Sequence, residues 1–503
     1  MDCNITKNNI YSCKTVYENF SEEKVDLDIV IPDYCAAAVR ILKCEVQPVI
    51  NSKTVDGDRL ILEGVCTVNV IYADEQTGAV KSIIESTTFS QTQQLKEQLS
   101  AYRIKVRLRT SNVSCRLQNS RRVSVKAVIG IAAKVMGNAQ TPVIESIDDC
   151  DIETLFEQAE FCTYVNSGDA DIRISGESEL AVPVMDVIRC DGCISVSEIK
   201  VINDKVILKG EAIISCLYTT GETMSDLESV ETVIPFNEIV DVDGAQEDST
   251  GEAECELIGI RFDISDDSNT IGFEVEARAT ASVYNNVQVN LLKDVYSRSC
   301  ELEINHSEIN IESLSDNMIF TESLRNSVEL DIDEARVADV VLKPVIKNIA
   351  PGESSLIIEG DVYVCIYAAN RDEYRFTDKA VPFSITKSFS ETAENMRCEA
   401  SVCAKNVSFS MPDDNTLEFK ADMEFNFLIF CGGHFTVIDN IETDERAQNS
   451  CFGSKLVLYY ADRGESLWDI AKKYHTSVEI IKRDNTLEDS IVTENKMLLI
   501  SGN

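Results

Sequence analysis

Repetition constrains this chain more than any other feature. One strand-like stretch is written three times, RLILEGVCTVNVIY (residues 59–72), KVILKGEAIISCLY (205–218) and SSLIIEGDVYVCIY (354–367), so the chain reads as one module copied, not as three unrelated regions. In the first copy Leu60, Leu62, Gly64, Cys66, Val68 and Val70 alternate with Glu63, Thr67 and Asn69, the period of two that gives a strand one buried face. The apolar side carries Gly64, Gly210 and Gly360 in the three copies. A missing side chain there predicts a bend, a bulge or the close passage of another backbone. Phe89, Phe236 and Phe383 follow at intervals of 147 residues. The tyrosine that closes the stretch stands eight residues after Gly in copies one and two but seven in copy three, which predicts a bulge in the first two that the third lacks.

The intervals between the glycines, 146 and 150 residues, are each the size of an ordinary domain with its own core. Turn chemistry recurs with the strand, since Asp56-Gly57, Asn203-Asp204 and Gly352-Glu353 precede the three copies at nearly equal distances. A second pair of strands closes each module, with loops such as residues 266–270 and 412–416 between them in the later two. The segment NLLKDVYSRSCELEIN (290–305) is similar to the chain start NNIYSCKTVYEN. The expected division is therefore a first module over 1–140, a second, diverged one over 141–289, a third over 290–445, a linker over 446–455 and a small domain over 456–503. The fold class is mainly β: three tandem antiparallel β-rich modules followed by a small α+β unit.

Composition narrows the function. A formal net charge of −40 argues against nucleic acid and anionic membranes as partners. No run of about 18 apolar residues suits a membrane span, and the start MDCNITKNNI lacks the apolar core of an export signal. The 18 cysteines stand at different offsets in the copies, which reads as reduced thiols in a cytosolic protein. Cys190 and Cys193 have the spacing of half a zinc site, but no second CxxC exists, so neither metal nor cofactor is expected. No nucleophile-elbow, phosphate-loop or zinc-protease motif is present, and only three histidines are, so the chain is read as non-enzymatic. Residues 79–135 reverse the charge, with eleven Lys/Arg against Glu85 and Glu97. Within them Arg103, Lys105, Arg107 and Arg109 share one strand face, which either docks an acidic partner, another copy of this chain included, or is a solvated edge that discourages aggregation.

The last segment changes class, reading strand, helix, helix, strand. Ser466 with Asp469 and Thr476 with Glu479 are spaced as helix-start capping boxes, and Leu467, Ile470, Ala471 and Tyr474 share a helical face. Leu498 and Ile500 are expected to pair back onto the strand of Val457 and Tyr459. Gly464-Glu465-Ser466-Leu467-Trp468 and Asn485 resemble the loop, helix start and conserved-type Asn of the LysM family, with Glu465 in place of its Asp and Thr493-Glu494-Asn495 in place of its Pro-Gly-Gln. The upstream modules resemble the spore-coat assembly repeat through DIVIPDY (28–34), the LEG-type strand and Tyr296-Ser297.

The resemblance implies a scaffold of the spore envelope in the mother-cell cytoplasm at the forespore surface. It would dock through its LysM on the coat-basement ATPase, stage IV sporulation protein A, and gather other coat proteins. The binding groove would lie between the loops of Gly464, Glu465, Ser466, Leu467 and Trp468 and of Asp484, Asn485 and Leu487. The alternative is N-acetylglucosamine polymer in the same groove, as in a protein of the cortex or wall; Glu465, Asp484, Glu488 and Asp489 would ring that groove with charge. Trp468, the sole tryptophan, is either an interface anchor or a widening of the apolar helix face.

Overall fold

The computed structural model describes residues 4–95, 102–149, 151–221, 226–332, 334–352, 355–370, 373–389, 396–443 and 456–501. The first module runs through β1 (Asn4–Val30), β2 (Ala38–Asp56), β3 (Arg59–Asp74), β4 (Val80–Gln94), β5 (Tyr102–Asn119) and β6 (Arg122–Asp148). The second repeats the plan with β7 (Ile152–Glu179), β8 (Asp186–Ile202), β9 (Lys205–Thr219), β10 (Leu227–Asp241), β11 (Thr250–Ile264) and β12 (Thr270–Ser297). The third follows with β13 (Leu302–Glu329), β14 (Arg336–Pro351), β15 (Ser355–Ala369), β16 (Tyr374–Ser388), β17 (Met396–Ser410) and β18 (Thr416–Thr443).

Each module is two antiparallel three-stranded sheets. In the first they are β1-β6-β5 and β2-β3-β4, and the other modules match. Their apolar faces meet in one core, where Leu60, Leu62, Val68 and Val70 of β3 pack against Val123, Val125, Ile129 and Ile131 of β6. The edge strand β2 lies along β5, and β1 along β4, so sheet edges cover one another instead of facing solvent. The repeated Gly has a packing cause. Gly64 pairs with Phe89, Gly210 with Phe236 and Gly360 with Phe383, and each of these rings lies over its glycine. A Cβ on any of the three would come closer than 3 Å to that ring and to the carbonyl oxygen of Val49, Ser195 or Val345. Close passage of another backbone is thus realised in all three copies, and a bulge accompanies it, since β2, β8 and β14 each skip one residue, Asn51, Ser197 and Lys347, beside the position opposite the glycine.

The tyrosine spacing is resolved differently from the expectation. Strands β3, β9 and β15 pair without interruption with β4, β10 and β16, and the irregularities sit on β2, β8 and β14 in all three copies. No bulge absorbs the missing residue. Tyr72 and Tyr218 turn into their module cores, and Tyr367, one residue out of phase, turns to the opposite face and packs between modules, as a one-residue slip requires.

The modules close into a ring. Strand β4 packs on β8, β10 on β14, and β16 returns to β2, while the first strands β1, β7 and β13 touch pairwise, as do the last strands β6, β12 and β18. Shared apolar layers hold the centre: Ile71, Leu217 and Tyr367 lie in one, and Val143, Leu291 and Val437 in another. The expected boundaries at 140/141 and 289/290 are corrected, because β6 runs on to Asp148 paired with Asn4, and β12 runs on to Ser297 paired with Ile152. The Tyr296-Ser297 pair therefore ends the second module; it does not begin the third. The expected linker over 446–455 lies outside the described residues.

The C-terminal unit is β19 (Leu456–Ala461), α1 (Leu467–Tyr474), α2 (Val478–Asn485) and β20 (Lys496–Ser501). Val457 pairs with Ile500 and Tyr459 with Leu498, as the alternation required. Ser466 caps α1 by accepting from the Trp468 N–H at 3.2 Å. The second cap is Ser477, which accepts from the Ile480 N–H, and not Thr476, whose hydroxyl donates to the Ser501 carbonyl at 2.9 Å.

Candidate functional site

The basic strand face divides, with Arg103 and Lys105 turned inward and Arg107 and Arg109 exposed. Arg103, 1% exposed, donates to the carboxylate of Glu252 and, at 3.0 Å, to the Tyr284 hydroxyl. Lys105 stands 3.4 Å from Glu252, 2.9 Å from Glu254 and 3.3 Å from Glu399. Arg107 donates to the Ala400 carbonyl and Arg109 to the Tyr363 hydroxyl at 2.9 Å. The acidic partner of Arg103 and Lys105 is therefore the second and third modules of the same chain, and the docking expectation is corrected for these two, while Arg107 and Arg109 stay exposed and meet neutral oxygens. The charge is legible in the sequence but its destination is not, because the partners stand about 150 to 300 residues away.

Register shows how the contact is keyed. Each first strand skips one residue, Val16, Val165 and Ser315, and aligning the modules on that bulge superposes Lys105, Glu252 and Glu399 in their fifth strands. One position thus carries a cation in one module and a carboxylate in the other two. Lys134 at 2.7 Å and Arg397 at 2.8 Å also hold Glu399, and Arg397 reaches Glu312 at 2.8 Å. Burial works to raise the carboxyls of Glu252 and Glu399, yet Arg103, Lys105 and Lys134 outweigh it and hold both at about 2. A second keyed layer repeats the logic: Lys43, Arg189 and Asp339 pair with Ile71, Leu217 and Tyr367, the residues seven past the repeated Gly. Arg189 meets Asp339 at 2.5 Å, and Lys43 and Arg189 lie over the Tyr367 ring.

The C-terminal unit sits on the end of the second module. The Trp468 indole N–H donates to Asp294 at 2.8 Å, Lys472 reaches the same carboxylate at 2.7 Å, and the Tyr296 hydroxyl donates to the Thr476 carbonyl at 2.7 Å. Burial works to raise Asp294, but the hydrogen bonds from Lys472 and Trp468 hold it below the usual carboxylate range. The rings of Tyr296 and Trp468 meet edge to face, 4.9 Å between centroids, and Trp468 is an anchor within the chain.

The other expected groove residues divide. Leu467 is wholly buried and Leu487 packs on the same core. The Asn485 amide bridges the Ile481 carbonyl and both backbone groups of Leu499 at 2.6–2.8 Å, which is a structural bracket. Gly464, at φ +95°, and Glu465 tie their loop to Val492 through backbone bonds of 2.8 and 2.9 Å. The Glu465 side chain accepts from the Tyr459 hydroxyl at 3.0 Å, and Asp484 accepts from Ser501. Gly464, Glu465, Ser466 and Asp484 remain at the surface or half-buried.

Sequence reading passed over one face. Leu456, Leu458 and Tyr460 on β19 and Met497 on β20 are 61–70% exposed, and Tyr460 stands opposite Met497. The signal was present in the unbroken apolar run LVLYYA, since a two-stranded sheet with one face on the core leaves the alternate residues uncovered. Among the described residues no cluster of His, Cys, Asp and Glu is arranged to hold a metal ion, and no helix is long and apolar enough to cross a membrane.

The architecture defines a class: tandem β modules locked into one body that carries a small βααβ recognition domain. Residues 38–118 and 183–265 match the family described as SipL, SPOCS domain, and residues 459–501 match the LysM domain. The chain is thus SipL-like, with SPOCS domains ahead of a C-terminal LysM. The two SPOCS matches cover β2–β5 and β8–β11, and the third module repeats that topology over β14–β17. Both families are binding or scaffold domains without catalytic machinery. A 39-residue stretch, 8% of this chain, is 49% identical to the protein named "Probable autolysin SsaALP" of Staphylococcus aureus (strain NCTC 8325 / PS 47), of which it spans only 15%. No solved structure matches the chain.

Proposed function

We propose that the protein is a non-enzymatic scaffold for spore-envelope assembly. Its LysM docks on the coat-basement ATPase, stage IV sporulation protein A, at the forespore surface, while the ring of modules offers surfaces to other coat proteins. The observation that carries this reading is the uncovered apolar face of Leu456, Leu458, Tyr460 and Met497, on a domain whose helix α1 is already fixed to the second module through Asp294 and Tyr296. A rigidly mounted domain with one exposed apolar sheet face is suited to a protein partner, since buried aromatic and aliphatic anchors dominate such interfaces.

The test uses the full chain, immobilised, against the purified ATPase and against purified peptidoglycan. Binding to the ATPase that weakens about tenfold or more in Leu458→Asp or Tyr460→Asp supports the proposal; retention on peptidoglycan alone overturns it. The second reading, glycan binding by the same domain, rests on the LysM match and the short likeness to the autolysin. It predicts that the Asp substitutions on the β19–β20 face leave retention unchanged.

A further inference from the structure

The junction between the second and third modules brings two thiols together. Cys193 lies on β8 and Cys403 on β17, 210 residues apart. Both sulfurs lie against one acceptor: Cys193 Sγ is 3.9 Å and Cys403 Sγ 3.6 Å from the carbonyl oxygen of Ala404. Both thiols also line a cavity of about 510 Å³ between the modules, walled by Ile194 and Ile213 on one side and Val340 and Val402 on the other. A disulfide needs its Cβ atoms about 3.5–4.5 Å apart, and two sulfurs sharing one carbonyl are within a rotamer change of that geometry.

We propose that Cys193 and Cys403 are a modification site, at which a small two-electron oxidant of the peroxide class closes a disulfide that staples the second module to the third. One Sγ, as thiolate, attacks a peroxide oxygen, the O–O bond breaks, and a sulfenic acid forms with release of hydroxide. The other Sγ then attacks the sulfenic sulfur, the S–O bond breaks and water leaves. Two thiols and one hydrogen peroxide give one disulfide and two waters, and the cavity admits an oxidant of that size.

The pair differs from two other close thiol pairs, each of which lies within one module. Cys190 stands directly opposite Cys216 within the second module, and Cys44 is hydrogen-bonded to Cys115 within the first. Closing either leaves the modules free to separate, whereas the 193–403 bond covalently closes a junction of the ring. Its hydrogen bond to Cys403, with burial, holds the Cys193 thiol well above its ordinary value. The reaction accelerates as pH rises, because the thiolate is the nucleophile.

The test takes the full reduced chain, exposes it to hydrogen peroxide and maps disulfides by mass spectrometry of the alkylated, digested protein, with fragmentation to distinguish Cys193 from Cys190 and Cys403 from Cys398. The expected result is a peptide pair joined through Cys193 and Cys403, a faster-migrating monomer on a non-reducing gel, and loss of both in Cys193→Ser and Cys403→Ser. Cys190→Ser keeps both. Absence of the joined peptide from the oxidised wild-type chain, or a fast monomer that persists in Cys193→Ser, overturns the proposal. The wild-type map decides even if a variant fails to fold.

Discussion

Replacing Lys105 by Met tests whether the buried charge key holds the ring together. Lys105 is 4% exposed and contacts Glu252, Glu254 and Glu399; Met keeps the chain length and removes the charge. Glu252 and Glu399 are each held from 4.5 down to about 2, which at ~1.4 kcal/mol per tenfold corresponds to about 3 kcal/mol per carboxylate. Lys105 shares that task with Arg103, Lys134 and Arg397, so its removal should cost about 3–5 kcal/mol, the range for breaking one partner of a buried ion cluster.

The pH dependence has a definite sign. A carboxylate whose folded value is depressed adds stability above its unfolded value, near 4.5, and that stability is lost as pH falls toward 2. The gap between wild type and Lys105→Met should therefore be full at pH 7.5 and shrink once the pH drops below about 4.5. Urea unfolding followed by far-ultraviolet circular dichroism at pH 7.5 and through the acid range measures it. A variant within about 1 kcal/mol of wild type at pH 7.5, or an equal deficit at pH 7.5 and pH 3, would refute the reasoning.

Gly210→Ala should destabilise the second module by about 1–3 kcal/mol, because its Cβ meets the Ser195 carbonyl and the Phe236 ring; a lowered unfolding midpoint checks this. In Asp294→Ala the sole tryptophan loses its indole acceptor, so emission should shift to the red and α1 should become more accessible to protease, with the β modules unaffected. Asn485→Ala removes three hydrogen bonds to the backbone of α2 and β20 and should cost about 1–3 kcal/mol, read as faster amide exchange over residues 496–501.

Much of the fold was legible because local pattern and chain order carry it. The alternation around Gly64, Gly210 and Gly360 set strand, buried face and copy number, and the closing Phe at constant spacing proved to be the ring lying on each glycine. The βααβ tail was legible for the same reason, down to the pairing of Val457 with Ile500. The candidate site was less so. Trp468, Leu467 and Asn485 stood out by identity, but identity does not tell whether a side chain meets a partner or its own chain, and these three meet their own.

What the sequence determined by itself was therefore the module: its strands, its repeat, and a β19 run too apolar for a sheet with one covered face. Tertiary structure alone decided the ring and its lock. Lys105, Glu252 and Glu399 look like unrelated charges on three strands until the modules close, because the energy that makes them partners is Coulombic attraction in a desolvated centre. That centre forms only when segments about 150 residues apart in sequence are brought within 4 Å. Tyr367 turned outward for the same cause: one residue fewer reversed its face, and the space that received it belongs to the neighbouring modules, not to its own.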